Sequence, residues 1–114
     1  MLEWQYDTDE IGIYDSKYGC ELGLVRGEDG GIFFRQGEDV FQIKEEDIKY
    51  VAFEEPKFLK KGTIAFFDED EEILAYVCDG RVIKCIIDVT KKQKNEFYAI
   101  FDVLNNNGIE TLVL

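Results

Sequence analysis

IKYVAFEEPKFLKKGTIAFF, residues 48–67, holds two strand-like runs, 48–53 and 63–67, parted by the chain's one proline, Pro56, a basic cluster and Gly62. In the first run Ile48, Tyr50 and Ala52 alternate with Lys49, Val51 and Phe53, so apolar residues fall on both faces. Such a run is expected to be buried on both sides. Pro56 ends it, because proline cannot donate to a strand ladder and restricts Glu55 before it. Gly62 then leads the second run.

On the N-terminal side the pattern is the same in weaker form. Trp4 and Tyr6, then Ile11 and Ile13, alternate with polar residues around Asp7, Asp9 and Glu10, which predicts a hairpin or two loose strands over 1–19. Residues 16–19 read as a turn. The run 20–26 puts Leu22 and Leu24 on one side, and the glycine-rich stretch 27–31 breaks it. Residues 32–35 carry aromatics on both faces, 36–39 turn, and 40–44 place Phe41 and Ile43 together. Short strands at intervals of about ten residues, with glycine and acidic turns between them, predict a meander or small barrel.

On the C-terminal side residues 63–87 read as three antiparallel strands, joined by the acidic turn 68–72 and by Asp79-Gly80. Asp-Gly is a favoured two-residue hairpin loop, because both central residues of a type I′ turn need positive φ. It sets Cys78 opposite Arg81, Val77 opposite Val82, Tyr76 opposite Ile83 and Leu74 opposite Cys85. Cys78 and Cys85 then share a face but lie roughly 13 Å apart at about 3.4 Å per residue, too far for a disulfide. With Cys20 they make an odd number, and all three are expected to pack as free thiols.

The period changes only at the end. Over 91–105, Phe97, Ile100, Phe101 and Leu104 recur at helical spacing, with Thr90 as N-cap and the Asn-rich stretch up to Gly108 as stop. Residues 109–114, from Ile109 to Leu114, read as a last strand or tail whose edge is open to pairing with a second copy.

These elements give an α+β domain, mainly antiparallel β: a small barrel or strongly bent sheet of about seven strands capped by one C-terminal helix. The chain divides into an N-terminal hairpin or extension (1–19), a core (20–105) and a terminal strand or tail (106–114). The spacing of Ile48, Val51, Pro56, Gly62, Ile64 and Phe66, between short leading strands and a closing hairpin and helix, resembles bacterial pleckstrin-homology-like (PH-like) domains, of the kind associated with SHOCT segments. The resemblance spans residues 20–105. It implies a barrel capped by the final helix and a binding scaffold whose ligands vary, and it brings no catalytic residues.

Composition narrows the function. A net charge of −12 on 114 residues repels nucleic acid and anionic lipid and favours a protein partner with a basic surface. No run approaches the length of a membrane span, and no charged start leads into an apolar stretch and cleavage site, so a cytoplasmic location is expected. Histidine is absent, which removes Ser-His-Asp and Cys-His catalysis and the commonest metal ligand. The cysteines lack zinc spacing and the glycines lack a phosphate-loop context. No catalytic residues, metal or cofactor are therefore expected.

Two clusters and one aromatic remain as candidate contacts. Asp68, Glu69, Asp70, Glu71 and Glu72 lack the alternation of a calcium loop and read as a solvated tip or a contact for a partner's lysines and arginines. Trp4 is either buried or an interface anchor. Lys57, Phe58, Lys60 and Lys61 form a candidate loop for a small ligand or lipid head group, with Glu54 and Glu55 expected to neutralise part of its charge and Phe58 or Leu59 to fold over the barrel. The leading expectation is a non-catalytic acidic interaction domain, in its sharper form an inhibitor of the toxin-immunity or phage anti-defence type. The alternative is the PH-like domain that binds a small ligand or lipid head group.

Overall fold

Alternating residues in the first third of the chain build a four-stranded antiparallel meander. The computed structural model describes residues 10–26 and 30–114; Trp4, Tyr6 and the stretch 27–29 lie outside these. The strands β1 (Glu10–Asp15), β2 (Cys20–Val25), β3 (Gly31–Gln36) and β4 (Asp39–Ile43) pair in sequence order. The turn at 16–19 forms, and Gly37 at φ 61° makes the β3–β4 turn. Ile13, Leu22, Leu24, Ile32, Phe34 and Ile43 point inward, nearly devoid of solvent contact, as period-two alternation requires.

The second sheet is built on β5 (Tyr50–Glu54) and β6 (Gly62–Phe67), the two runs around Pro56. Their register sets Tyr50 opposite Phe67 and Glu54 opposite Thr63. Both faces of β5 are covered: Val51, Ala52 and Phe53 are all buried. Gly62 is required at the neck of the loop, because a Cβ there would lie 2.2 Å from the Glu54 carbonyl oxygen and 2.5 Å from the Pro56 nitrogen.

Beyond β6 the three-strand expectation for 63–87 is corrected. The chain forms β7 (Ala75–Cys78), β8 (Arg81–Lys84) and β9 (Ile86–Val89); among the described residues β7 pairs with β8 alone, and β9 pairs with β6. The pivot is Cys85. Its amide donates to the Leu74 carbonyl (2.8 Å) and its carbonyl accepts from the Phe66 amide (2.9 Å), so the backbone leaves one ladder and joins the other at this residue. The Asp79-Gly80 register stands as expected, with both residues at positive φ, 50° and 79°. Cys20, Cys78 and Cys85 are free thiols. Burial, with the neighbouring Cys78 adding, pushes the Cys85 thiol up to about 12, so it packs as an apolar group.

The helix begins as a single 3-10 turn at Lys91–Gln93 and continues as α1 (Lys94–Asn106). Gln93 closes the start: its Oε1 accepts from the Thr90 amide (3.0 Å), while its Nε2 donates to the Tyr14 carbonyl of β1 (2.7 Å). Phe97 and Phe101 meet Phe53 of β5 edge-on, at centroid distances of 5.4 and 5.1 Å. Asn107 and Gly108 stop the helix, Gly108 at φ 83°, and β10 (Thr111–Val113) then pairs parallel with β5.

The second sheet therefore runs β10-β5-β6-β9. Among the described residues, ten strands in three sheets replace the expected barrel or bent sheet of about seven. Among the described residues no barrel closes: β9 lies beside β1 without ladder bonds, and α1 packs against β1 and β10. One hydrophobic cluster takes residues from both four-stranded sheets, the β7–β8 hairpin and the helix. Among the described residues no helix is long and apolar enough to cross a membrane.

Candidate functional site

The β5–β6 ribbon carries opposite chemistry at its two ends. At the Tyr50–Phe67 end lie a 3-10 turn, Glu45–Asp47, and the loop 68–72, which bring eight carboxylates together. The loop folds this way because Asp68 caps it. Its Oδ1 accepts from the amides of Asp70 (2.9 Å) and Glu72 (3.1 Å), and its own amide donates to the Glu72 carbonyl (2.9 Å). Glu71 takes a left-handed φ of 60°, and its amide donates to the Asp68 carbonyl at 2.9 Å. Short Asp side chains that bond to nearby amides favour such turns.

Between these two acidic elements lies an open groove of about 380 Å³. Glu46, Asp47, Asp68, Glu69 and Asp70 line its sides, and Leu74, Ala75 and Tyr76 at the start of β7 complete it. The Tyr76 hydroxyl donates to Asp47 Oδ2 (2.8 Å) and accepts from the Lys44 amide (3.1 Å), which clips the 3-10 turn to the hairpin. Burial raises the Tyr76 pKa well above the ordinary phenol range; the bond to Asp47 adds and the Lys44 amide opposes. Burial likewise raises the Glu45 carboxyl, with Glu46 next door contributing.

Asp47 and Asp68 are thus occupied internally, whereas Glu46, Glu69, Asp70, Glu71 and Glu72 present carboxylates outward. Among the described residues one lysine reaches them, Lys49, whose Nζ lies 3.9 Å from Glu71 Oε1; both groups are exposed, so the pair contributes little. Among the described residues no three carboxylates or thiols gather as a metal ion would require. The carboxylates stand as separate acceptors, an arrangement suited to several ammonium or guanidinium groups spread over a surface.

The Glu54–Thr63 end is basic. Lys57 and Lys60 exchange backbone hydrogen bonds (2.8 and 3.3 Å), closing a two-residue turn with Phe58 and Leu59 at its apex. The expectation that one of these folds over the sheet is corrected: they are 81% and 90% exposed. The closed turn, held at its neck by Pro56 and Gly62, points both side chains away from the core. Lys61, Lys91, Lys92 and Lys94 complete a group of six lysines in the adjoining segments, with Lys91 Nζ 5.4 Å from the Phe58 ring centroid. Glu54 and Glu55 neutralise part of this charge, pairing with Lys60 (3.0 Å) and Lys94 (2.8 Å). The bonds from Lys94 and Tyr98 hold the Glu55 carboxyl below the usual range, and the same contact raises Lys94.

Of the residues singled out from sequence, Asp68, Glu69, Asp70, Glu71 and Glu72 sit together at one pole and Lys57, Phe58, Lys60 and Lys61 at the other. Trp4 lies outside the described residues. Glu46, Asp47 and Tyr76 were missed as site residues. The signal for the first two was present, since pairing 48–53 with 63–67 around the proline loop brings residues 45–47 beside 68–72. A second cleft, about 320 Å³, lies where the β1–β2 turn meets β8 and β9, with Asp15, Cys20, Lys84 and Asp88 on its walls. Burial there, with Asp15 and Asp88 adding, raises the Cys20 thiol, which keeps it a poor nucleophile.

No family model, no curated protein and no solved structure matches the chain.

Proposed function

We propose that this chain is a non-catalytic interaction domain whose acidic pole docks a basic surface of a partner protein. The observation that supports this reading is the groove between the 3-10 turn and the loop 68–72, which carboxylates from two separate elements line and which, among the described residues, one lysine ion pair adjoins. Convergent like charge of this kind raises the local potential and steers a cationic surface into register. The sharper form is an inhibitor of the toxin-immunity or phage anti-defence type, with the carboxylates occupying a basic cleft. We read the scaffold as PH-like, and two four-stranded sheets with one C-terminal helix suit this use, because the loops are free to carry contacts while the core is fixed.

A second reading draws on the basic pole. Phe58 and Leu59, exposed among lysines, are the features a small-ligand or lipid-head-group domain would use.

Affinity capture on the immobilised domain tests the first reading. The expected result is one basic partner, released as salt approaches about 1 M, where the Debye length falls to about 3 Å. Neutralising the groove with Glu46→Gln, Glu69→Gln and Asp70→Asn is expected to weaken capture at least about ten-fold, on the measured couplings of close interfacial charge pairs. Capture indifferent to both salt and substitution would reject the acidic pole as the contact.

A further inference from the structure

The two poles of the β5–β6 ribbon are complementary to each other. At one end a two-residue turn presents Phe58 and Leu59, 81% and 90% exposed. Among the described residues no ion pair claims Lys57 or Lys61 beside them. At the other end the open groove has carboxylate sides and, in Ala75 and Tyr76, an exposed methyl and a half-buried ring between them. We propose that the lysine-flanked Phe58–Leu59 tip of one copy of this chain docks into the acidic groove of a second copy.

Charge complementarity supplies the argument for the occupant. A protruding apolar pair ringed by ammonium groups needs a receptor that is apolar at its centre and anionic at its rim. This chain's own groove is such a surface. The two features cannot meet within one molecule, because the five-residue strand β5 separates them by about 17 Å at roughly 3.4 Å per residue. A second copy is required, and the contact is heterologous, tip to groove. It leaves one free tip and one free groove on every pair, so it propagates head to tail unless the rotation closes a ring. The net charge of −12 opposes association. At physiological ionic strength, however, charges farther apart than about 8 Å are largely screened, and the local pairing of lysine with carboxylate decides the outcome.

The inference rests on the groove reading above, and its test separates the two. Sedimentation velocity of the full chain at near-physiological salt is expected to show a sedimentation coefficient that rises with concentration. A tip variant, Phe58→Ser with Leu59→Ser, and a groove variant, Glu69→Lys with Asp70→Lys, are each expected to stay monomeric alone, since every position changed is exposed and outside the core. Mixed, they are expected to form a 1:1 dimer and nothing larger, because one intact tip and one intact groove remain.

A wild-type chain that stays monomeric at every concentration overturns the proposal. A tip variant that still self-associates, or a mixture that gives no heterodimer, does so too. Wild-type binding to phosphatidylserine vesicles, lost in the tip variant and without self-association, would assign the tip to a lipid surface and also overturn it. The tip variant keeps its groove, so its capture of a basic partner reports on the proposed function alone. Capture retained while the wild type stays monomeric rejects self-docking and leaves the acidic contact standing.

Discussion

The β5–β6 ribbon and the β7–β8 hairpin are both two-stranded antiparallel units with a tight loop, yet they are held in place by different means. The ribbon has strands on both flanks and apolar residues on both faces, and Val51, Phe53, Ile64 and Phe66 have no solvent exposure. Among the described residues the hairpin's two strands pair only with each other. Its outer face shows Val77 and Val82, 71% and 65% exposed, and its inner face contributes Ile83 and half of Tyr76 to the core. An isolated hairpin is marginal in water; this one is held by clips, the Tyr76 hydroxyl on Asp47 and the Arg81 guanidinium on Asp39. Burial therefore secures the element that separates the two charged poles, whereas polar contacts position the element beside the acidic groove.

The largest expected effect tests the ribbon. Phe53→Ala removes the ring that Phe97 and Phe101 meet edge-on. Truncating a fully buried phenylalanine costs about 3–5 kcal/mol, a large share of the stability of a domain this size. Chemical denaturation should show the loss as a lower midpoint. A loss under about 1 kcal/mol would mean that the helix is not packed on β5, and the contrast between ribbon and hairpin would collapse.

Tyr76→Phe is expected to cost less, about 1–2 kcal/mol, the range for a hydrogen bond to a charged acceptor together with the orphaned Lys44 amide. Its pH dependence separates the hydroxyl from packing. The folded pKa of Tyr76 is raised, so the contribution is fully present below the unfolded value of about 10 and is lost as pH rises toward the folded one. The stability gap between wild type and Tyr76→Phe should therefore be constant at neutral pH and narrow above about pH 10. Because the same hydroxyl fixes the 3-10 turn beside the groove, the variant should also weaken capture of a basic partner at neutral pH. A gap that stays constant into the alkaline range would show that the ring, not the hydroxyl, holds the hairpin.

The same division marks what was legible in the letters. The two-sided pattern of 48–53, the positive-φ pair Asp79-Gly80 and the helical spacing of Phe97, Ile100, Phe101 and Leu104 are local signals, and each appears as read. The break at Cys85 is not local. Residues 81–89 form a continuous strand-like run, and the switch from β8 to β9 exists because Leu74 and Phe66 both bond to Cys85, a condition set by tertiary structure. The acidic run 68–72 was legible as a charged turn, but not as one wall of a groove, which needs the ribbon's register to bring Glu46 and Asp47 alongside. The outward aim of Phe58 and Leu59 was misjudged for a related reason. Hydrophobicity predicts burial, and only the backbone bonds between Lys57 and Lys60 show that the turn closes before either side chain can return to the core.

Arg81→Ala should have the smallest effect and probes the weaker clip. Arg81 is 66% exposed at its side chain while Asp39 is 9% exposed, so the pair sits between a surface bridge, worth about 0–1 kcal/mol, and a buried one, whose breaking costs about 3–5 kcal/mol. The exposed guanidinium gains little by leaving water, and Asp39, on the edge strand β4, can be reached by water once the arginine is gone. The expected loss is therefore below about 1 kcal/mol in global stability. Amide exchange should locate it: β7 and β8 amides are expected to exchange faster while those of β5 and β6 are unchanged, because opening the hairpin leaves the ribbon's ladders to β9 and β10 intact. Raising salt on the wild type should reproduce the effect in part, as expected of a partly screened pair. A global loss equal to that of Tyr76→Phe, with ribbon amides exchanging in step, would instead show that hairpin and ribbon open as one cooperative unit.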